Sequence, residues 1–184
     1  MKRALYISAA LCGLSLVHSA SAADAVGRDP SSSSNSTSTN RMAGNLSHGD
    51  RSFVEKAAKS GMEEVAISRI AAERATNPQV REFAQMMVTD HSANNTELTS
   101  LAATKGVTLP AKEMDVNKWE KRSAKSFDEE YMEKMVSDHK DDVELFEKQA
   151  KKGEDAELMS FASRTLPTLQ SHLQRAQEIK KMVK

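Results

Sequence analysis

Cysteine is almost missing from this chain of 184 residues: its one thiol, Cys12, falls in an apolar stretch near the N-terminus. If that stretch is a leader, the mature chain has no disulfide, no thiolate ligand and no cysteine nucleophile, and packing alone must stabilise it. Net charge is missing as well, because 26 basic and 26 acidic residues cancel. Without a basic face, neither nucleic-acid binding nor a polybasic membrane patch is expected. There is no Gly-rich phosphate loop and no Gly-x-Ser-x-Gly elbow, so nucleotide hydrolysis and serine-hydrolase chemistry lack their signatures. Beyond the N-terminal stretch no apolar run is long enough to span a bilayer.

What is present begins with the pattern of a secretory signal. Lys2 and Arg3 form a basic n-region, Ala4 to Val17 an apolar core, and Ala20-Ser21-Ala22 a small-x-small cleavage site. The pattern predicts a signal peptide over 1–22, cleavage after Ala22, and a protein of the periplasm or the exterior with no transmembrane anchor. The rival reading is an uncleaved anchor, which the short apolar core disfavours. Lipoprotein processing at Cys12 is disfavoured too, since Leu11 stands where a small residue belongs. Loss of Lys2 and Arg3 leaves 24 basic residues against 26 acidic. Residues 23–50 read as a disordered tether, because Ser31 to Asn40 holds only Ser, Asn and Thr and cannot bury enough apolar surface to order itself. Residues 51–184 suffice for one domain with one core.

Helix signals dominate that domain. Ser52-x-x-Glu55 is a capping box, followed by the stripe Phe53, Ala57, Gly61, Glu64/Val65, Ser68 and Ala71/Ala72. Asn77-Pro78 ends the first helix and caps the second, which carries Val80, Phe83, Ala84, Met87, His91, Asn94/Asn95, Leu98 and Leu101 on one face. Gly106 closes it. A less regular segment from Val107 to Lys125 should hold a short helix between Asp115 and Ser123, anchored by Trp119. Ser126-x-x-Glu129 is a second capping box opening a third helix, with Phe127, Tyr131, Met135, His139, Asp142/Val143, Phe146 and Ala150 inward and Gly153 at its end. Asp155 caps a fourth, which Pro167 should kink or divide. The expected fold is all-α, a ferritin-like four-helix bundle with a crossover segment between the second and third helices.

Two internal echoes run through this pattern. Met87-Val88-Thr89-Asp90-His91 recurs as Met135-Val136-Ser137-Asp138-His139, 48 residues on, and suggests a duplicated helix pair. A second match, Val65–Val88 with Val143–Leu166, runs at an offset of 78 and sets Phe83-Ala84 on Phe161-Ala162. Three segments, Phe83-Ala-Gln-Met-Met-Val-Thr-Asp-His91, Phe127-Asp-Glu-Glu-Tyr-Met-Glu-Lys-Met-Val-Ser-Asp-His139 and Leu166-Pro-Thr-Leu-Gln-Ser-His172, together resemble the DUF4142 family of exported bacterial proteins. The resemblance runs from about Arg51 to Lys180. It implies a ferritin-like bundle and an envelope location, and it implies no reaction.

The chemistry worth testing lies in three histidines, His91, His139 and His172, on the inward faces of three helices. Glu64 stands at the edge of the first inward stripe, and Asp142 shares a face with His139. Imidazole with carboxylate suits a single transition-metal ion such as zinc, iron or manganese. If copper is the ion, Met87 and Met135, each four residues before a histidine, are additional candidate ligands, although Met at helical spacing is also ordinary core filler. A carboxylate-bridged di-iron centre is not expected, because Val88 and Leu169 occupy the positions where Glu-x-x-His would need glutamate. The competing reading makes the histidines core polar residues that fix helix register, with Asp90 and Asp138 reaching a neighbouring helix or water. The sequence thus leads to a non-enzymatic envelope protein, binding a partner or supporting stress tolerance, with the three histidines open to two readings, a core polar network or a His-rich metal site. The alternative is a metal-dependent oxidoreductase or metal-storage protein at the same residues. Neither a protein partner nor an oligomeric state is legible.

Overall fold

The computed structural model describes residues 46–109 and 114–183. The signal pattern over 1–22 and the serine-rich part of the tether lie outside these described residues. The described elements are five helices, α1 (His48–Arg74), α2 (Pro78–Thr104), α3 (Asn117–Glu120), α4 (Ala124–Lys152) and α5 (Ala156–Lys180), with no strand among them.

Local chemistry sets most of the boundaries. Asn77 caps α2, its side chain accepting from the Gln79 N–H at 2.8 Å, with Pro78 at the first helical position. Asp155 caps α5 through the N–H groups of Glu157 and Leu158, both at 3.1 Å. Gly106 takes a left-handed φ of 69° just past α2, where a side chain would be strained. Both expected capping boxes fail, however. Helix α1 starts at His48 behind Ser47, inside the stretch read as tether, and α4 starts at Ala124 behind Ser123. Each helix recruits an extra turn that carries or supports a buried acid, Asp50 or Asp128, whose contacts lie across the bundle. Pro167 does not divide α5, which runs unbroken to Lys180. The inward residues on either side of it, Thr165 and Leu169, are packed into the bundle, and that packing holds the segment against the lost hydrogen bond.

Helices α1 and α2 form one antiparallel hairpin, α4 and α5 a second, and they dock with α1 against α4 and α2 against α5. The connection from α2 to α4 therefore crosses the bundle, as a ferritin-like topology requires. Arg74 pins it, its guanidinium donating to the carbonyls of Trp119 at 2.6 Å and Arg122 at 2.7 Å, while Trp119 itself is buried against Phe127 and Tyr131.

The hairpins are tied reciprocally. Asp50, in the first turn of α1, accepts from Gln149 Nε2 at 2.6 Å and from the N–H groups of Glu154 and Asp155 at the α4–α5 turn. Asp128, near the start of α4, accepts from the N–H groups of Thr76 and Asn77 and from the Thr76 hydroxyl at the α1–α2 turn. Asp50 and Asp128 are counterparts at the offset of 78, and so are the two turns. The structural repeat is thus the one at 78. The echo at 48 pairs α2 with α4, which are not equivalent, so the duplicated helix pair lies in the register of 78 and not of 48.

The core has two apolar clusters. One contains Ile67, Phe83, Met87, Phe127, Tyr131, Met135 and Ile179, and the other Phe53, Val54, Leu98, Phe146, Phe161 and Leu169. Between them, on all four long helices, the inward positions turn polar.

Candidate metal centre

The polar layer consists of Glu64 on α1, His91 on α2, His139 and Asp142 on α4, and His172 on α5, all buried. Each helical stripe reaches the layer midway between residues of the two apolar clusters, so the 3.6-residue period itself brings the five side chains to one level. The imidazoles converge rather than spreading along the axis. Their centroids form a nearly equilateral triangle with sides of 5.3, 5.5 and 5.4 Å. One ring nitrogen of each lies within 4.8 Å of those of the other two.

Two of the rings are oriented from behind. The Nδ1 of His139 is 3.0 Å from the Met135 carbonyl, so this nitrogen carries the proton and donates. The Nε2 of His172 donates to Asp90 Oδ2 at 3.0 Å. Opposite nitrogens are left over: His139 Nε2, His172 Nδ1 and His91 Nε2 are buried without a hydrogen-bond partner. Glu64 is fully buried, with Oε2 2.8 Å from His91 Nδ1 and Oε1 3.2 Å from His139 Nδ1. Neither oxygen receives a well-directed hydrogen bond. Asp142 accepts from the Ser60 hydroxyl at 3.1 Å. Unpaired buried polar atoms are costly, typically about 1–3 kcal/mol each, and their concentration in one layer needs an explanation.

Burial governs the protonation of the layer. It pushes Glu64 up to about 7, with neighbouring His139 pulling the other way. Asp142 is raised to about 8, by burial first and then by the nearby Glu64 charge. Burial lowers His139 to about 4 against the pull of Glu64, and it lowers His91 and His172 as well. The rings are therefore neutral at physiological pH, which is the protonation state that ligates a metal.

All five candidate residues named from the sequence meet in this layer. Met87 and Met135 are buried one turn away, within the adjoining apolar cluster. Asp90 reaches α5 and Asp138 pairs with Lys134 rather than with their own adjacent histidines. Sequence reasoning does not single out Asp90 as the anchor of His172, the Met135 carbonyl as that of His139, or Ser60. Nothing in the local sequence marks them. It misses the acids Asp50 and Asp128 too, although their spacing of 78 carries a signal.

A cavity of about 20 Å³ touches the layer at His91 and Asp142. It has room for one water or one ion and none for an organic substrate.

Fold and layer together define an all-α, ferritin-like bundle with a buried histidine cluster. The chain belongs to the DUF4142 family, a domain of unknown function, whose pattern matches residues 35–179. Solved structures of the same fold include a DUF305 fragment from Deinococcus radiodurans, with a TM-score of 0.66 and 10% identity over 74% of this chain and 98% of that one. CopM in a Cu(I)-bound form superposes with a TM-score of 0.61 and 17% identity over 70% of this chain and 93% of CopM. A conserved hypothetical protein of Mycobacterium tuberculosis, rv2844, gives 0.59 and 15% over 73% and 99%. No curated protein sequence matches the chain.

Proposed function

We propose that this is an exported envelope protein whose bundle binds one transition-metal ion through His91, His139 and His172, as a binding or buffering protein rather than an enzyme. The observation that carries the reading is the set of three buried, unpartnered imidazole nitrogens on three helices, two with their opposite nitrogen already anchored. Outer anchoring of this kind is the usual accompaniment of metal-ligating histidine. Ligands about 2.0–2.1 Å from a shared ion stand roughly 3.3 Å apart, and one nitrogen of each ring already lies within 4.8 Å of those of the other two. Glu64, with its oxygens against Nδ1 of His91 and His139, stands behind those two rings and supports them from the side opposite their free nitrogens.

Copper is the ion to test first. CopM, of the same fold, has been seen with Cu(I), Cu(II) and silver bound, and buried Met87 and Met135 offer thioether sulfur one turn from the layer. Zinc, iron and manganese are the comparison ions. The narrow cavity favours ion binding over substrate turnover. Docking of a partner through an apolar patch has less support, since Met182 is the one large apolar side chain exposed among the described residues. No helix among them is long and apolar enough to cross a membrane. Export rests on the signal pattern of residues 1–22.

The test is elemental analysis of protein purified from its native compartment without affinity tags or chelators, beside a His91→Ala/His139→Ala variant. Near-stoichiometric metal in the native protein and none in the variant is the expected result. Metal-free protein whose melting is unmoved by copper, zinc, iron or manganese would overturn the reading and return the histidines to a structural role.

A further inference from the structure

The buried layer needs a route from solvent, and two surface grooves adjoin its small cavity. One, of about 380 Å³, lies between α1 and α4 and is lined by Ser60, Asp141, Asp142 and Glu144 with Lys56 and Lys148. The other, of about 710 Å³, lies beside α1 and α2 and includes Met62, Val65, Arg69, Asn95 and Met114. Each groove shares one residue with that small cavity. For the first it is Asp142, for the second Asn95.

We infer that Asp142 is the port of the site, taking the cation from the groove between α1 and α4 and passing it to the unpartnered Nε2 of His91. The inference rests on the metal-binding reading above. Asp142 is 5% exposed, so it meets the groove and the cavity while belonging fully to neither. Its oxygen ligand is harder than imidazole and releases a borderline or soft cation to it readily. Taking the cation releases the Asp142 carboxyl proton to water in the groove; the passage onward is ligand exchange, and neutral His91 accepts the ion without giving up a proton. The mouth also selects. It presents Asp141 and Glu144 around Asp142 itself, beside two ammonium groups, whereas the second groove presents Arg69 and no carboxylate. The second route is plugged as well. The Asn95 amide lies so close to the backbone at Gly61 that a Cβ there would stand 2.1 Å from Oδ1.

The experiment is stopped-flow uptake of Cu(II) by the metal-free full chain, with final stoichiometry measured separately. Asp142→Asn should slow uptake about tenfold or more while leaving stoichiometry intact, and Lys148→Glu at the mouth should speed it several-fold. Arg69→Glu at the mouth of the second groove should leave the rate unchanged. An Asp142→Asn variant as fast as the parent, or one that loses its equivalent of metal, overturns the port; so does an Arg69→Glu variant whose rate shifts more than that of Asp142→Asn. Should Asp142→Asn fail to fold, Lys148→Glu decides, an unchanged rate counting against the port. Absence of uptake by the parent protein would instead sink the metal reading itself.

Discussion

The two hairpins are alike at their ends and different in the middle. At the ends, Asp50 clamps the turn of one hairpin as Asp128 clamps the turn of the other, and the helix caps Asn77 and Asp155 are counterparts too. In the middle only the carboxylates correspond, Glu64 with Asp142. The histidines have no matching histidine: His139 answers Gly61, His91 answers Leu169 and His172 answers Asn94 at the same offset of 78. What is shared between the hairpins satisfies turn N–H groups and serves the fold. What breaks the symmetry gathers unpaired donors and acceptors at one level and serves the site.

The largest test of this division is the ion. With copper at about a thousand times its dissociation constant, the protein should gain roughly 4 kcal/mol of unfolding free energy. In His139→Leu that gain should vanish while the metal-free stability changes by no more than about 1 kcal/mol, because an apolar side chain replaces a polar one with an unpaired buried atom. Chemical denaturation with and without copper measures both. A large loss in the metal-free variant would return His139 to the fold.

The ends should behave in the opposite way. Asp50→Ala and Asp128→Ala should each cost about 3 kcal/mol in urea unfolding, because each strands several turn donors. Metal affinity should be unaffected in either. Costs differing by more than a factor of two would show that the clamps are not equivalent.

The two corresponding carboxylates give a third test. Glu64, at about 7, and Asp142, at about 8, are both raised, so their contribution is complete below the ordinary values of 4.5 and 3.8 and is lost as pH rises through the folded ones. His139, at about 4, is lowered from 6.5, so its contribution is complete above 6.5 and lost as pH falls through about 4. Between pH 6.5 and about 8 only the carboxylates act, and the metal-free protein should lose about 2 kcal/mol. Denaturation across that window should show the slope, and Glu64→Gln/Asp142→Asn should flatten it. The smallest effect belongs to the caps: Asn77→Ala and Asp155→Ala should each cost about 1 kcal/mol, read as a shift in urea midpoint.

Much of this is legible in the sequence, because helix faces and caps are local. Spacing alone places His91, His139, His172, Glu64 and Asp142 inward, and Asn77-Pro78 and Asp155 mark their helices. The two capping boxes mislead because Asp50 and Asp128 bind turns about 50 to 105 residues away in sequence and draw each helix start outward, a contact no local pattern encodes. Pro167 misleads because its propensity cost is local and the packing that outweighs it is not. The repeat at 48 misleads because a shared pentapeptide is weaker than a shared architecture. Which ring nitrogens stay free depends on Asp90 and the Met135 carbonyl, and only three-dimensional placement reveals that.

The layer draws Glu64 and His91 from one hairpin and His139, Asp142 and His172 from the other. Neither hairpin holds more than two of the three imidazoles. Time therefore enters the chemistry: with the proposed site, loading could not precede the last assembly step, and a chain threaded through a membrane in extended form would travel without cargo. If the chain is exported as proposed, the compartment in which the hairpins meet, and not the one in which the ribosome works, would decide which ion the proposed site takes.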